Sequence, residues 1–195
     1  MEQTFGSSSR LRRAVIIWSL VSGIVHFSWE LGWCLVSRHL ASADALHGWR
    51  KIWSIYGVAD RRYLHADSFI LILEWITATV GGFLNFYVVV QARRKKLMHA
   101  TVALLIVSVM EVYGTLMYLG SELFTHFANV NTASFVDAWL KFFAVNLLWV
   151  IFPGIFVYES VRYLVAGGTS PFLVAAKPGV ADAAPATPDP LSTAA

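Results

Sequence analysis

Apolar residues run on almost unbroken for about twenty positions in four places, and each run stops at a cluster of charged or turn-forming residues. A helix needs roughly 20 residues to cross about 30 Å of hydrocarbon. The runs at 14–36, 69–90, 100–124 and 138–165 are therefore expected to span a membrane, and the predicted fold is all-α, a polytopic bundle of four transmembrane helices. The connection 37–67 follows a different pattern. Leu46, Trp49, Trp53 and Tyr56 recur at helical spacing beside Arg50 and Lys51, which suits an interfacial helix at headgroup level, either a lid over the bundle or an amphipathic linker. Residues 1–13 form an expected cytosolic segment and 14–165 the membrane domain. Residues 166–195, Ala- and Pro-rich after Gly167-Gly168, are too poor in packable apolar groups to order and are expected to be a disordered tail.

Composition agrees with this pattern. With 57% apolar and 14% charged residues, the chain falls outside the range of ordinary soluble domains. The net charge of +3 does not gather on one face, as nucleic-acid binding would require, but sits at the ends of the apolar runs, where phosphate headgroups are the natural partner. Arg10, Arg12 and Arg13 precede the first span, and Arg93, Arg94, Lys95 and Lys96 separate the second from the third. The positive-inside tendency puts both clusters, and with four spans both termini, in the cytosol, although Arg38, Arg50, Lys51, Arg61 and Arg62 oppose it. The first apolar run, at about 23 residues, exceeds the 7–15 of a signal-peptide core and is expected to stay uncleaved. The lone Cys34 allows neither an internal disulfide nor a thiolate metal site.

Polar groups inside the runs carry the candidate chemistry. An acid near the centre of a spanning helix costs on the order of 2.5–3.5 kcal/mol on insertion scales, so such residues usually face a cavity or a partner. Glu74 is such an acid. His26 and Glu30, four apart, share a helical face with Trp33 and make a candidate proton-exchanging pair; the alternative is a satisfied core histidine. Glu111, Thr115, Tyr118 and Glu122 recur at helical spacing with Tyr113 and Gly114 nearby, either as a cavity wall or as structural partners. Asn146 and Trp149 share another face with Pro153: an amide able to hold a proton donor or a hydroxyl and a π face for a cation, or else interhelical glue and a packed aromatic. Asp137 and Lys141 read as a surface ion pair. No phosphate-binding glycine loop or dinucleotide fingerprint occurs, and the spans hold only one deep histidine, so neither a cofactor nor a metal is expected. Proton chemistry in an apolar, aromatic cavity fits these groups: an acid protonates an alkene or epoxide, aromatic faces stabilise the cation, and a base removes a different proton.

These motifs together resemble the emopamil-binding protein family over residues 15–163. They are His26-x-x-x-Glu30 with Gly32-Trp33, Asp60-x-Arg62-Tyr63, Glu74 with Thr77-Ala78, Tyr113-Gly114 with Tyr118 and Glu122, and Asn146-Leu-Leu-Trp149 with Pro153-Gly154. The resemblance implies a four-helix EXPERA domain in the endoplasmic reticulum, working as a cofactor-free sterol isomerase that moves an 8-ene to a 7-ene. It implies Glu74, His26 and Glu30 as the acid/base set, Asn146 assisting proton transfer and Trp149 facing the cation. Trp33, Glu111, Tyr113, Thr115 and Tyr118 complete the expected substrate contacts. Expected partners are membrane lipids, a hydrophobic sterol or terpenoid entering from lipid and, as an open alternative, a second copy of the chain; nucleic acid is not among them. Three departures stand out. The family's Tyr-Gly-Asp reads Tyr113-Gly114-Thr115, its Gly-Pro reads Gly81-Gly82, and the chain is expected to lack the extra N-terminal span of the animal relatives. The loss of the Asp leaves the substrate open. A terpenoid or meroterpenoid isomerase or cyclase is the alternative, and a non-catalytic sterol-binding protein the second.

Overall fold

The computed structural model describes residues 6–40, 48 and 51–168. Leu46, Trp49 and Arg50 of the expected amphipathic stripe, and 169–195 of the expected tail, lie outside the described residues. Among the described residues, four helices are long and apolar enough to cross a membrane: Leu11–Val36, Ser68–Arg93, Leu97–Phe124 and Val136–Val165, here the first to fourth spans. Each exceeds the roughly 20 residues a crossing requires. Asp67 caps the second span by accepting the backbone N–H groups of Phe69 and Ile70 at 3.0 and 3.1 Å, which satisfies two of the orphan donors at the helix start.

The spans run alternately up and down. Their outer surfaces expose Ile17, Val21, Ile72, Phe83, Leu116, Leu147 and Ile151, a distribution that only a lipid surround makes favourable. Inside, apolar side chains gather at both ends. Val15, Val88, Leu104, Val107 and Phe156 belong to one cluster, and Trp33, Trp53, Ile70, Tyr118 and Phe142 to the other. His26, Glu74, Asn85 and Glu111, buried polar groups of the first three spans, fall between these two plugs.

The interfacial element is a helix, Lys51–Ala59, with Ile52, Ile55 and Val58 outward and Trp53 buried. Trp53 meets Trp29 of the first span with ring centroids 4.2 Å apart. The segment is pinned to the loop between the third and fourth spans: Arg61 N donates to Asn129 O at 2.9 Å, and Asn131 N to Ala59 O at 3.0 Å. It thus caps one end of the bundle.

Three of the spans carry π-helical segments, His26–Glu30 in the first, Thr77–Gly81 in the second and Val136–Ala144 in the fourth, and the first two of these pack on each other. Glycine permits the approach. A Cβ on Gly82 would lie 2.8 Å from Cε2 and 3.0 Å from Cδ2 of the Phe27 ring, and that ring is itself held between Phe83 and Phe86. Gly82→Ala gains about 1 kcal/mol of helix propensity, against an overpacking cost of about 1–3 kcal/mol. The expected outcome is a lowered melting temperature in detergent, while Gly154→Ala, whose Cβ meets nothing within 4 Å, leaves it level or higher. Equal effects at the two positions would show that the Phe27 contact does not govern the approach of the first two spans.

Candidate active site

Between the two plugs lies a cavity of about 340 Å³, and all four spans and the loop helix contribute to its wall. Val25, His26, Trp29 and Glu30 come from the first span, Leu73, Glu74 and Thr77 from the second, and Glu111, Gly114, Thr115 and Tyr118 from the third. Lys141, Val145, Asn146 and Trp149 line it from the fourth, and Tyr56 and Tyr63 from the loop. Apolar and aromatic atoms make most of the wall surface, and eight charged or polar side chains converge on it, a polar-rich version of a small-molecule site.

His26 links two carboxylates. Its Nδ1 lies 2.7 Å from Glu30 Oε2, an ion-pair contact whose angle falls short of a hydrogen bond. Its Nε2 lies 3.2 Å from Glu111 Oε1 and 3.1 Å from Ser22 Oγ. The far carboxylate is well supplied with donors. Glu111 accepts from Ser22 Oγ at 2.7 Å, Asn85 Nδ2 at 2.8 Å and Trp18 Nε1 at 3.3 Å, so its oxygens are committed to holding the imidazole. Glu30 instead faces the cavity and accepts from Thr77 Oγ1 at 2.6 Å.

Glu74 forms a separate station. It is buried and accepts the Tyr63 hydroxyl in a short hydrogen bond. Burial, together with the neighbouring Glu74 charge, pushes the Tyr63 phenol well above its ordinary value, so it serves as a neutral donor. Burial also pushes Tyr56 up to about 12, and its hydroxyl lies 3.4 Å from that of Tyr118. On the fourth span, Asn146 Nδ2 donates to Phe142 O of its own helix at 2.6 Å. Trp149 stands edge-on to Trp18 with ring centroids 5.5 Å apart.

Eight of the ten expected site residues line this one cavity: His26, Glu30, Glu74, Glu111, Thr115, Tyr118, Asn146 and Trp149. Tyr113 and Trp33 do not, which corrects both expectations. Tyr113 is 64% exposed among the lipid-facing side chains. At about 100° per residue it sits roughly 200° around the helix from Glu111. Trp33 is fully buried behind the wall, donating through Nε1 to Tyr63 O at 3.1 Å. The π-helical turn at His26–Glu30 changes the phase of the helix beyond it, so the spacing of an ordinary helix does not carry Trp33 onto the His26 face. Thr115 adds no charge, its hydroxyl donating to Glu111 O at 2.7 Å.

A second buried polar group holds the cap in place. Arg62 donates to Asp60 through Nη2 at 2.7 Å, to Ser121 Oγ at 2.6 Å, and lies 3.2 Å from Glu122 Oε1. Tyr118 donates to Asp60 Oδ2 at 2.5 Å, and Glu122 accepts Asn129 N at 3.1 Å and Nδ2 at 2.8 Å. Burial works against the guanidinium charge, yet Asp60 and Glu122 hold its pKa above the ordinary value. Glu122 is therefore buried in a clamp, and the residue next to the clamp arginine is Tyr63, the donor to Glu74. Breaking one member of a buried charge group costs about 3–5 kcal/mol. Arg62→Met is expected to lower thermal stability sharply, whereas Glu159→Gln, at the more exposed Arg162 pair, leaves it nearly unchanged. Similar melting shifts for both would contradict the clamp.

Among known proteins, the family model EBP: EXPERA (EXPanded EBP superfamily) matches residues 49–160. The chain is 29% identical over 153 residues to the 3-beta-hydroxysteroid-Delta(8),Delta(7)-isomerase of Rattus norvegicus, covering 78% of this chain and 65% of that one. It is 28% identical over 155 residues to the protein of the same name from Mus musculus, covering 80% and 66%. It is 23% identical over 159 residues to a protoglabretal synthase of Ailanthus altissima, covering 81% and 70%. The chain thus spans just under two thirds of the length of the rodent proteins it resembles.

Proposed function

The chain belongs to the EXPERA (EXPanded EBP) superfamily, and we propose that it is a cofactor-independent membrane isomerase that shifts a double bond in a sterol or sterol-like triterpenoid, 8-ene to 7-ene. The observation that carries this is the meeting of two proton-handling stations, Glu30–His26–Glu111 and Glu74–Tyr63, on the wall of one cavity with aromatic sides. The similarity to rodent proteins named 3-beta-hydroxysteroid-Delta(8),Delta(7)-isomerase supports it.

The reaction is balanced in protons. One station delivers H⁺ to an alkene carbon, and the π electrons form the new C–H bond, leaving a tertiary cation at the adjacent carbon. Loss of H⁺ from the other neighbouring carbon to the second station returns its C–H electrons as the new π bond. The molecular formula is unchanged, and a proton passed between stations resets the enzyme. Trp149, Tyr56 and Tyr118 offer π faces to the intermediate, and an apolar wall keeps water from capturing it. The substrate enters from the bilayer, in the endoplasmic reticulum, with both chain termini cytosolic. A terpenoid isomerase or cyclase is the second candidate. It is favoured by the uncharged Thr115 in the wall, where the resembled family has an Asp, and by the similarity to the Ailanthus protein.

Membranes from yeast lacking its own sterol isomerase and expressing this chain, incubated in heavy water with added unlabelled 8-ene sterols, test the proposal. The 8-ene sterols are expected to give 7-ene products carrying one deuterium. Glu74→Gln is expected to reduce conversion by about 10²–10⁴, the span of general acid–base contributions. Persistence of the 8-ene sterols without deuterium uptake would overturn the sterol assignment, and full turnover by Glu74→Gln would overturn the role of Glu74.

A further inference from the structure

The geometry points to Lys141 as the polar anchor of the cavity, donating a hydrogen bond to a neutral oxygen, a hydroxyl or ketone, at the end of an amphiphilic polycyclic substrate. The inference rests on the isomerase proposal above and names the part of the substrate that sets its register.

Lys141 is the only Lys or Arg among the described residues that line the cavity. A lysine near the end of a lipid-facing helix ordinarily extends its ammonium to the headgroups. This one turns beneath the loop helix, where Nζ donates to Asp137 Oδ1 at 2.6 Å and to Ile55 O at the long distance of 3.5 Å, with 30% of the side chain accessible. Asp137 is fixed in turn, since its other oxygen accepts Asn131 Nδ2 at 2.8 Å. An ammonium carries three N–H donors. One is spent on Asp137 and a second only weakly on Ile55, and the third has no partner among the described residues.

The other donors at this end are neutral and at least partly engaged: Asn146 gives one of its two N–H groups to Phe142 O, and the Tyr56 hydroxyl lies against that of Tyr118. The chemistry of the acceptor also follows. Asp137 already balances the ammonium, and the wall carries three carboxyl groups, Glu30, Glu74 and Glu111, beside the single His26 imidazole, so a second anion would find no unbalanced positive charge here. A neutral oxygen accepts the remaining N–H without that penalty. Along the fourth span, Lys141 and Trp149 stand eight residues apart, roughly 10–12 Å, comparable to the length of a fused tetracyclic skeleton. An oxygen held at Lys141 lays the rings along Val145 and Trp149, and the reach of the anchor then selects which carbon meets the acids.

The test uses the full chain in lipid nanodiscs with two tritiated probes, an 8-ene sterol bearing its 3-hydroxyl and the 3-deoxy counterpart. A hydrogen bond to a charged donor predicts a preference of about tenfold or more for the hydroxylated probe. K141M should abolish that preference by weakening the hydroxylated probe alone, leaving the deoxy probe bound as before, and K141R, which keeps a donor, should retain it. A preference that survives K141M, or equal loss of both probes in K141M and K141R, would overturn the anchor. Wild-type protein that binds both probes equally would overturn the anchor while leaving the isomerase proposal standing. Wild-type protein that binds neither would overturn the sterol-like reading of the cavity and the anchor with it.

Discussion

His26 joins Glu30 and Glu111 through its two ring nitrogens, and much of the bundle serves to make that line of ionisable groups tolerable inside hydrocarbon. An isolated charge there is strongly unfavourable. Each group is instead given partners from another helix: Glu111 receives Trp18, Ser22 and Asn85, and Glu30 receives Thr77. Since these donors come from the first and second spans, the third span is fixed in rotation and depth by the same bonds that secure the histidine. A half-satisfied buried network would be worse than an apolar core, so its completeness around Glu111 gives the bundle one arrangement.

That polar layer is useful because of what lies above and below it. The apolar cluster around Val15, Leu104 and Phe156 closes one end, and the one around Trp53, Ile70 and Phe142 closes the other. The cavity is left between them, and the loop helix forms part of its wall. The Arg62 clamp ties that loop to the third span, and Tyr63, the next residue, reaches Glu74. Stability of the cap and geometry of the second acid are thus coupled through one short turn, Arg61–Tyr63.

Much of this was legible in the residues, for different reasons at each scale. The four spans were visible because hydrocarbon thickness imposes a length that apolar runs display directly; the helices extend the expected ranges by a few residues at most ends. His26 and Glu30 were visible because helical spacing is local. The bond from His26 to Glu111 was not, since it joins residues 85 apart and depends on the packing of parallel first and third spans. Tyr113 has its place in a motif, but its neighbours Glu111, Thr115 and Tyr118 define a helical stripe that excludes it. Trp33 followed ordinary helical phase, which the π-helical turn changes. The apolar stripe alone places Tyr56 at the interface; docking of the loop helix brings it into the wall. Lys141 makes the expected pair with Asp137 but also faces the cavity, which only the position of the loop helix reveals.

On this reading the cavity is built to hold a cation flanked by acids. Binding measurements on a sterol-shaped tertiary amine, whose ammonium stands in for the carbocation, and on its neutral carbon isostere test it most directly. Transition-state mimics bind about 10² or more tighter than ground-state analogues, so the protonated amine should exceed the isostere by about that factor, and Glu74→Gln should erase most of the difference. Equal affinity for amine and isostere in the unmodified protein would contradict the account.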